Sequence, residues 1–107
     1  MSKAEIFAGV CGFHSTVIAR GDGDAVQLTI TSECEAIQRL GQNFTQVDPF
    51  REISFRRGNM PSSLAAGHLY CTHAACPVPV GIIKAIEVEA GLALPRDVEI
   101  KISAENE

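Results

Sequence analysis

The turn sequence at residues 21–24, Gly-Asp-Gly-Asp, and the segment after it constrain the fold of this chain more than any other feature. Glycine and aspartate tolerate the left-handed backbone conformations that tight hairpin turns require. After the turn, Val26, Leu28 and Ile30 alternate with polar residues. A period of two places the apolar side chains on one face of a strand. The segment therefore predicts a β-hairpin with one buried and one solvated face.

Two helices are predicted after the strand and hairpin region, which we place at residues 5–31. The first covers about residues 33–42, because Ser32 and Glu35 have the spacing of a capping box at a helix start. The second covers residues 79–91, since a proline begins it and its sequence is apolar on nearly every side. Such a helix is expected to be buried on most of its faces.

Residues 97–103 repeat the alternating pattern and predict a final half-buried strand. Strands followed by helices and a further strand indicate an α+β fold with two layers. We expect a mostly antiparallel sheet of three to four strands, with two to three helices on one face. The length of 107 residues predicts a single domain over residues 1–107.

Cysteine is the residue type that most strongly indicates a function. The N-terminus lacks the pattern of a signal peptide, so we expect a cytoplasmic protein, in which disulfides are rare. Each cysteine is predicted at the end of an element, and four thiolates are the ligand set of a structural zinc ion or a cubane iron–sulfur cluster. We therefore predict a metal or cluster site, with His73 as the reserve ligand and these four as ligands: Cys11, Cys34, Cys71 and Cys76.

Two other interpretations stay open. In the first, the protein is a metal-free thiol enzyme or redox sensor whose reactive thiolate is Cys34 or Cys76, because a nearby helix N-terminus favours a thiolate. His73 is then placed to lower the pKa of Cys71 or Cys76. In the second, the protein is an interaction module whose cysteines only fill the core, as buried free cysteines often do.

Composition and charge narrow the possible partners. The net charge of −4 is opposite to the basic surface typical of nucleic-acid binding. The sequence has no apolar run near the roughly 18 residues of a membrane span. Arg51, Arg56 and Arg57, with Glu52 beside them, are expected to form a solvated face. We expect a redox or other protein partner, and a homodimer formed through an edge strand or the apolar last helix.

The segment HAACPVPVGIIKA, which begins at His73, carries a resemblance together with the tripeptides Cys-Gly-Phe at 11–13 and Ser-Glu-Cys at 32–34. This chain resembles a small uncharacterised family of bacterial and archaeal proteins, many of them from anaerobes. The resemblance covers nearly the whole chain and implies no particular activity. It implies that the cysteines at 11, 34, 71 and 76 belong to one site, and that cluster chemistry suits an anaerobic host.

Overall fold

A computed structural model describes residues 1–56 and 58–105, where three helices cover one face of a four-stranded antiparallel sheet. The α+β fold predicted from the sequence is therefore confirmed. The strands follow one another in the sheet in chain order, and they are β1 (Ser2–Phe7), β2 (His14–Asp22), β3 (Ala25–Ser32) and β4 (Gln46–Val47). Arg57, which was expected on a solvated face, lies outside the described residues.

Strands β2 and β3 form the hairpin that the turn sequence predicts. Asp22 pairs with Ala25 across the turn, and Gly23 has a φ of 62°, a conformation that glycine adopts without strain. Burial alternates along both strands, so the sheet has one solvated face. The other face lies in the core and contributes these side chains: Val17, Ala19, Val26, Leu28 and Ile30.

The helices are α1 (Glu35–Asn43), α2 (Ser62–Tyr70) and α3 (Val78–Glu89). Helix α1 packs on β3, α3 packs on β1 and β2, and α2 packs on both other helices. Ile82 and Ile86 of α3 are fully buried between these layers. Burial of one such side chain stabilises the fold by about 1.5–3 kcal/mol. Within the described ranges, none of the helices is long and apolar enough to cross a membrane.

The start of α1 differs from the predicted capping box. The helix begins at Glu35, and Cys34 is its N-cap residue, without a capping hydrogen bond from its side chain. Ser32 instead ends β3, where it pairs with Ser15. The Ser32 hydroxyl accepts a hydrogen bond from the backbone N–H of Cys34 at 3.0 Å. Because the sheet holds Ser32, its hydroxyl stabilises the strand-to-helix turn and not the first turn of the helix.

The final strand predicted over residues 97–103 does not form in the structure. These residues have no regular secondary structure, and Val98, Ile100 and Ile102 are 62, 76 and 90% exposed. A strand forms only where another strand pairs with its backbone N–H and C=O groups. In the described chain, β1 pairs with β2 alone. The alternating pattern is therefore present in a segment that has no strand beside it.

Candidate functional site

The four cysteines lie at the same end of the sheet. Ser15, near the start of β2, pairs with Ser32, at the end of β3. The loop between β1 and β2 contains Cys11, and Cys34 follows β3, so both cysteines belong to this end.

Helices α2 and α3 bring the other two cysteines to this end. Gly81, in the first turn of α3, faces the side chain of Ile6, near the end of β1. Cys76 lies just before α3, and Cys71 is the C-cap residue of α2. Three helix termini therefore present a cysteine at this one end of the sheet, which is where the predicted ligand set would have to assemble.

Cys34, Cys71 and Cys76 lie near one another, half-buried against the core. Burial raises the pKa of the Cys71 thiol to about 12, and the charge of Cys76, a hydrogen bond with Cys76 and the charge of Cys34 add to the rise. An ionised thiol loses hydration on burial and is repelled by thiolates beside it. The protonated form of Cys71 is therefore favoured at neutral pH.

His73 lies exposed in the loop between Cys71 and Cys76. Its backbone carbonyl accepts a hydrogen bond from the N–H of Cys76 at 3.2 Å, which closes a tight turn. His73 was expected to lower the pKa of Cys71 or Cys76; the pKa of Cys71 is instead raised, by burial and by the neighbouring thiols. The backbone of His73 shapes the loop between the two cysteines.

Cys11 is held apart from the other three cysteines, on an exposed loop. Gly9 and Gly12 have φ values of 90° and 74°, and the N–H of Ala8 donates to the carbonyl of Phe13 at 3.1 Å. In residues 1–56 and 58–105, no group of three or more His, Cys, Asp or Glu side chains is arranged to hold a metal ion. The predicted four-cysteine ligand set is therefore not assembled: three of the cysteines lie near one another, but not in the arrangement of a metal site, and Cys11 lies on an exposed loop.

His14 anchors the base of the loop that contains Cys11. Its backbone N–H donates to the Glu33 carboxylate at 2.6 Å, and its Nδ1 lies 3.1 Å from the same oxygen. These bonds, the backbone one first, lower the pKa of Glu33. The imidazole also lies against the ring of Phe7, with 4.9 Å between ring centroids. His14 therefore ties the start of β2 to the segment that precedes Cys34.

A close approach of α2 and α3 sets the separation of Cys71 and Cys76. Gly67 of α2 faces Pro79 of α3, and a Cβ added at Gly67 would lie 2.5 Å from the Pro79 Cγ. The Gly67 carbonyl also accepts a hydrogen bond from the N–H of Cys71 at 2.8 Å. The absence of a side chain at Gly67 therefore lets the two helices bring their cysteines together.

Glu52 positions the start of α2, and its place in the structure differs from the predicted one. It was expected on a solvated face, yet it is only 2% exposed. Its carboxylate accepts hydrogen bonds from the Ser62 hydroxyl at 2.5 Å and from the Ser63 N–H and hydroxyl at 2.7 and 2.6 Å. Glu52 thereby caps the start of α2, the helix that ends at Cys71. In the sequence, the two adjacent serines after Pro61 indicate the start of a helix. The acceptor for their N–H and hydroxyl groups lies elsewhere in the chain, so the sequence does not identify it.

The comparisons with known proteins show the family of the chain. A model described as a family of unknown function (DUF6951) matches residues 2–102. The chain therefore belongs to DUF6951, as the resemblance to an uncharacterised family led us to expect. No curated protein and no solved structure matches the chain. Any assignment of function consequently depends on the cysteines and their surroundings.

Proposed function

We propose that Cys34, Cys71 and Cys76 bind a metal ion or an iron–sulfur cluster, with Cys11 as the fourth thiolate. The observation that carries this proposal is the convergence of three thiols, from three separate segments of the chain, at one end of the sheet. Cysteines that merely fill a core have no reason to converge, and these three remain half-buried, where a ligand can reach them. Sulfur donors favour zinc and iron–sulfur clusters.

The electrostatics of Cys71 support binding of a cation. Burial and the neighbouring thiols raise the pKa of Cys71, so deprotonation of this thiol is opposed by lost hydration and by like charge. A bound cation reverses this balance, because it attracts every thiolate and takes the place of the lost hydration. Binding would then release protons, and the affinity would rise with pH.

Cys11 decides which kind of centre this would be. The donor type of all four residues fits zinc or a cluster, but among the described residues no three of them are arranged around one ion. Binding therefore requires that Cys34, Cys71 and Cys76 move closer together, and Cys11 completes the set only if its loop closes toward them. Gly9 and Gly12 give that loop the backbone freedom for such a change. Three thiolates leave an open coordination position, which is typical of a reactive zinc site, whereas four thiolates form a closed structural site or hold a cluster.

The test is the metal content of the full chain after anaerobic purification, measured as iron, sulfide and zinc with an absorption spectrum. We expect stoichiometric metal in the parent protein and loss of it in the Cys71→Ser, Cys76→Ser double variant. His68→Ala is the matched control, because His68 is exposed on α2 close to Cys71 and should leave the metal content unchanged. Full metal retention in the double variant would refute the proposal.

The Cys11→Ser variant separates the two kinds of centre. Loss of bound metal or of cluster absorption in this variant indicates that the loop supplies a fourth ligand. Retention of metal, with a coordination position free for an added thiol or imidazole, indicates a centre with three protein ligands.

A second candidate function is a reversible dithiol, and the proximity of the Cys71 and Cys76 thiols favours it. These two thiols would lose two protons and two electrons to a disulfide partner and form a disulfide with each other. The test is peptide mass spectrometry of metal-free protein after treatment with oxidised glutathione. A bond between Cys71 and Cys76 with Cys34 left free supports the dithiol. Glutathione attached to Cys11, with no intramolecular bond, excludes it.

A further inference from the structure

The C-terminal segment, residues 97–103, has one apolar and one polar face, although it lies in solvent. Val98, Ile100 and Ile102 form the apolar face, and all three are strongly exposed. The alternate positions carry charged or hydroxyl side chains. Large apolar side chains that are exposed together on one face of an extended segment indicate a surface that binds another protein surface.

Strand β1 has the complementary edge. It is the first strand of the sheet, so its backbone groups on the side away from β2 are paired by no described strand. A groove of about 720 Å³ runs between β1 and α3. The chain enters this groove at Pro95–Val98, and the residues after Val98 do not line it. Apart from Met1, Pro95 and Val98, the apolar part of its lining comes from β1 and α3: Ala4, Ile6, Gly81, Ala85 and Val88.

We infer that residues 97–103 of one copy add a strand to the free edge of β1 in a second copy, and that the two copies exchange these segments. The segment is one residue longer than β1, which has 6 residues, so it can pair along the whole strand. Paired along it, the apolar face of the segment covers the groove, on the side of the sheet where Ala4 and Ile6 lie. This is strand addition to a sheet edge, in which main-chain hydrogen bonds supply affinity and alternate side chains supply specificity.

The charges on the solvated side of the two segments complement each other. Within β1, Lys3 Nζ lies 3.3 Å from Glu5 Oε1, and within the segment, Lys101 Nζ lies 3.1 Å from Glu99 Oε1. A parallel alignment that sets Glu99 opposite Lys3 also sets Lys101 opposite Glu5. Opposite charges that face each other across neighbouring strands stabilise the pairing.

The shape of the chain favours a second copy over the chain's own β1 as the acceptor. The protein is 52 Å long but 28 Å in each of its other two dimensions. The part of the segment after Val98, which does not line the groove of its own chain, is available to a neighbour. Reciprocal exchange covers the free β1 edge of both copies in a closed, two-fold symmetric dimer. The same pairing accounts for the strand pattern of a segment that has no strand beside it.

The test is light scattering coupled to size-exclusion chromatography on the full chain, over a range of concentrations. A reductant is needed because the exposed Cys11 can form a disulfide between copies. We expect twice the 11.4 kDa mass of one chain. Ile100→Asp should raise the dimer dissociation constant by about 100- to 10,000-fold, because each dimer loses two buried isoleucines. Ser103→Asp adds the same charge to the polar face and should leave the dimer intact.

Hydrogen exchange on the same samples identifies the paired strands. Protection of backbone amides in both β1 and residues 97–103 of the dimer, lost together in Ile100→Asp, supports the exchange. Ile100 is exposed in the single chain, so this variant is not expected to unfold. Three results would overturn the inference: a monomer with a protected segment, a monomer with an unprotected segment, or a dimer that Ile100→Asp leaves unchanged.

Discussion

The two ends of α3 are held in opposite ways. At its C-terminal end, Glu89 accepts hydrogen bonds from the Gly21 N–H and the Ser2 hydroxyl, both at 2.8 Å, and these lower the pKa of its carboxyl. At its N-terminal end, half-buried thiols lie against one another, and the pKa of Cys71 is raised. The carboxylate is therefore stabilised in its charged form and the thiol in its neutral form.

This difference separates a structural joint from a candidate site. Glu89 accepts hydrogen bonds from donors on β1 and β2, so the protein itself stabilises this carboxylate. Cys71 is half-buried against the core with Cys34 and Cys76 near it, and its ionisation is unfavourable without a cation. Four variants or conditions can break or sharpen this comparison.

The largest effect on the free energy of unfolding is expected in the middle of α3, between the two ends compared above. Ile82 is fully buried, so Ile82→Ala should lower the free energy of unfolding by about 2–5 kcal/mol, because it removes apolar contacts and leaves a cavity. Urea denaturation measures this loss. Val80→Ala, at a half-exposed position of the same helix, is the control and should cost much less. Equal costs at the two positions would contradict the burial of this helix.

Glu89→Ala should lower the free energy of unfolding by about 1.5–3 kcal/mol at pH 7, because it removes hydrogen bonds to a charged group. The folded-state pKa of Glu89 is lowered, so its contribution is present above the unfolded pKa and is lost as pH falls through the folded one. The cost of the substitution should therefore shrink in acid. Urea denaturation at pH 7 and at an acidic pH below the folded-state pKa of Glu89 checks this, with Glu87→Ala as the control. An equal cost of Glu89→Ala at the two pH values would show that the charge of this carboxylate does not stabilise the fold.

Gly67→Ala should cost about 1–3 kcal/mol, because its added methyl group overlaps Pro79 and forces α2 away from α3. The displacement should be larger at the N-terminal end of α3, near Cys76, than at its C-terminal end, near Glu89. Oxidation of metal-free protein should then join Cys71 to Cys76 more slowly, as measured by the loss of free thiols with time. Ala65→Ser, at an exposed position of α2, is the control. An unchanged oxidation rate in Gly67→Ala would show that the helix contact does not set the separation of the thiols.

The smallest effect is expected in alkali. Because the folded-state pKa of Cys71 is raised to about 12, its contribution to stability is present below the ordinary pKa near 9 and is lost as pH rises toward 12. Metal-free protein should therefore lose stability between these limits, and Cys71→Ala should lose less. Cys11→Ala is the control, since Cys11 is exposed. Parallel pH profiles for the parent and Cys71→Ala would show that the buried thiol does not govern this range.

Local patterns predicted the fold better than they predicted the site. The β2–β3 hairpin depends on a turn and an alternation that lie within a few residues of each other, so the sequence predicted it. Placing the cysteines at element ends was also possible from the sequence. Their convergence depends on contacts between distant residues, namely Gly67 with Pro79 and Glu52 with Ser63, which no local pattern encodes.

The segment at 97–103 shows that a regular alternation of apolar and polar residues is not sufficient to form a strand. Its alternation is as regular as that of β3, where Leu28 is buried, yet Ile100 lies in solvent. Periodicity describes which face of a strand is apolar. It does not state which strand will lie beside it, or in which copy of the chain that strand will be found.

The cysteines at the three helix termini have a thermodynamic consequence. Cys34 is the N-cap of α1, Cys71 is the C-cap of α2 and Cys76 precedes α3. A ligand held by all three would therefore bind only when the whole helical layer is in place. Ligand occupancy would then add to the unfolding free energy by linkage, by about 2.7 kcal/mol at a free concentration 100 times the dissociation constant. The helices would melt together in the loaded protein, and occupancy would determine the cooperativity of the layer.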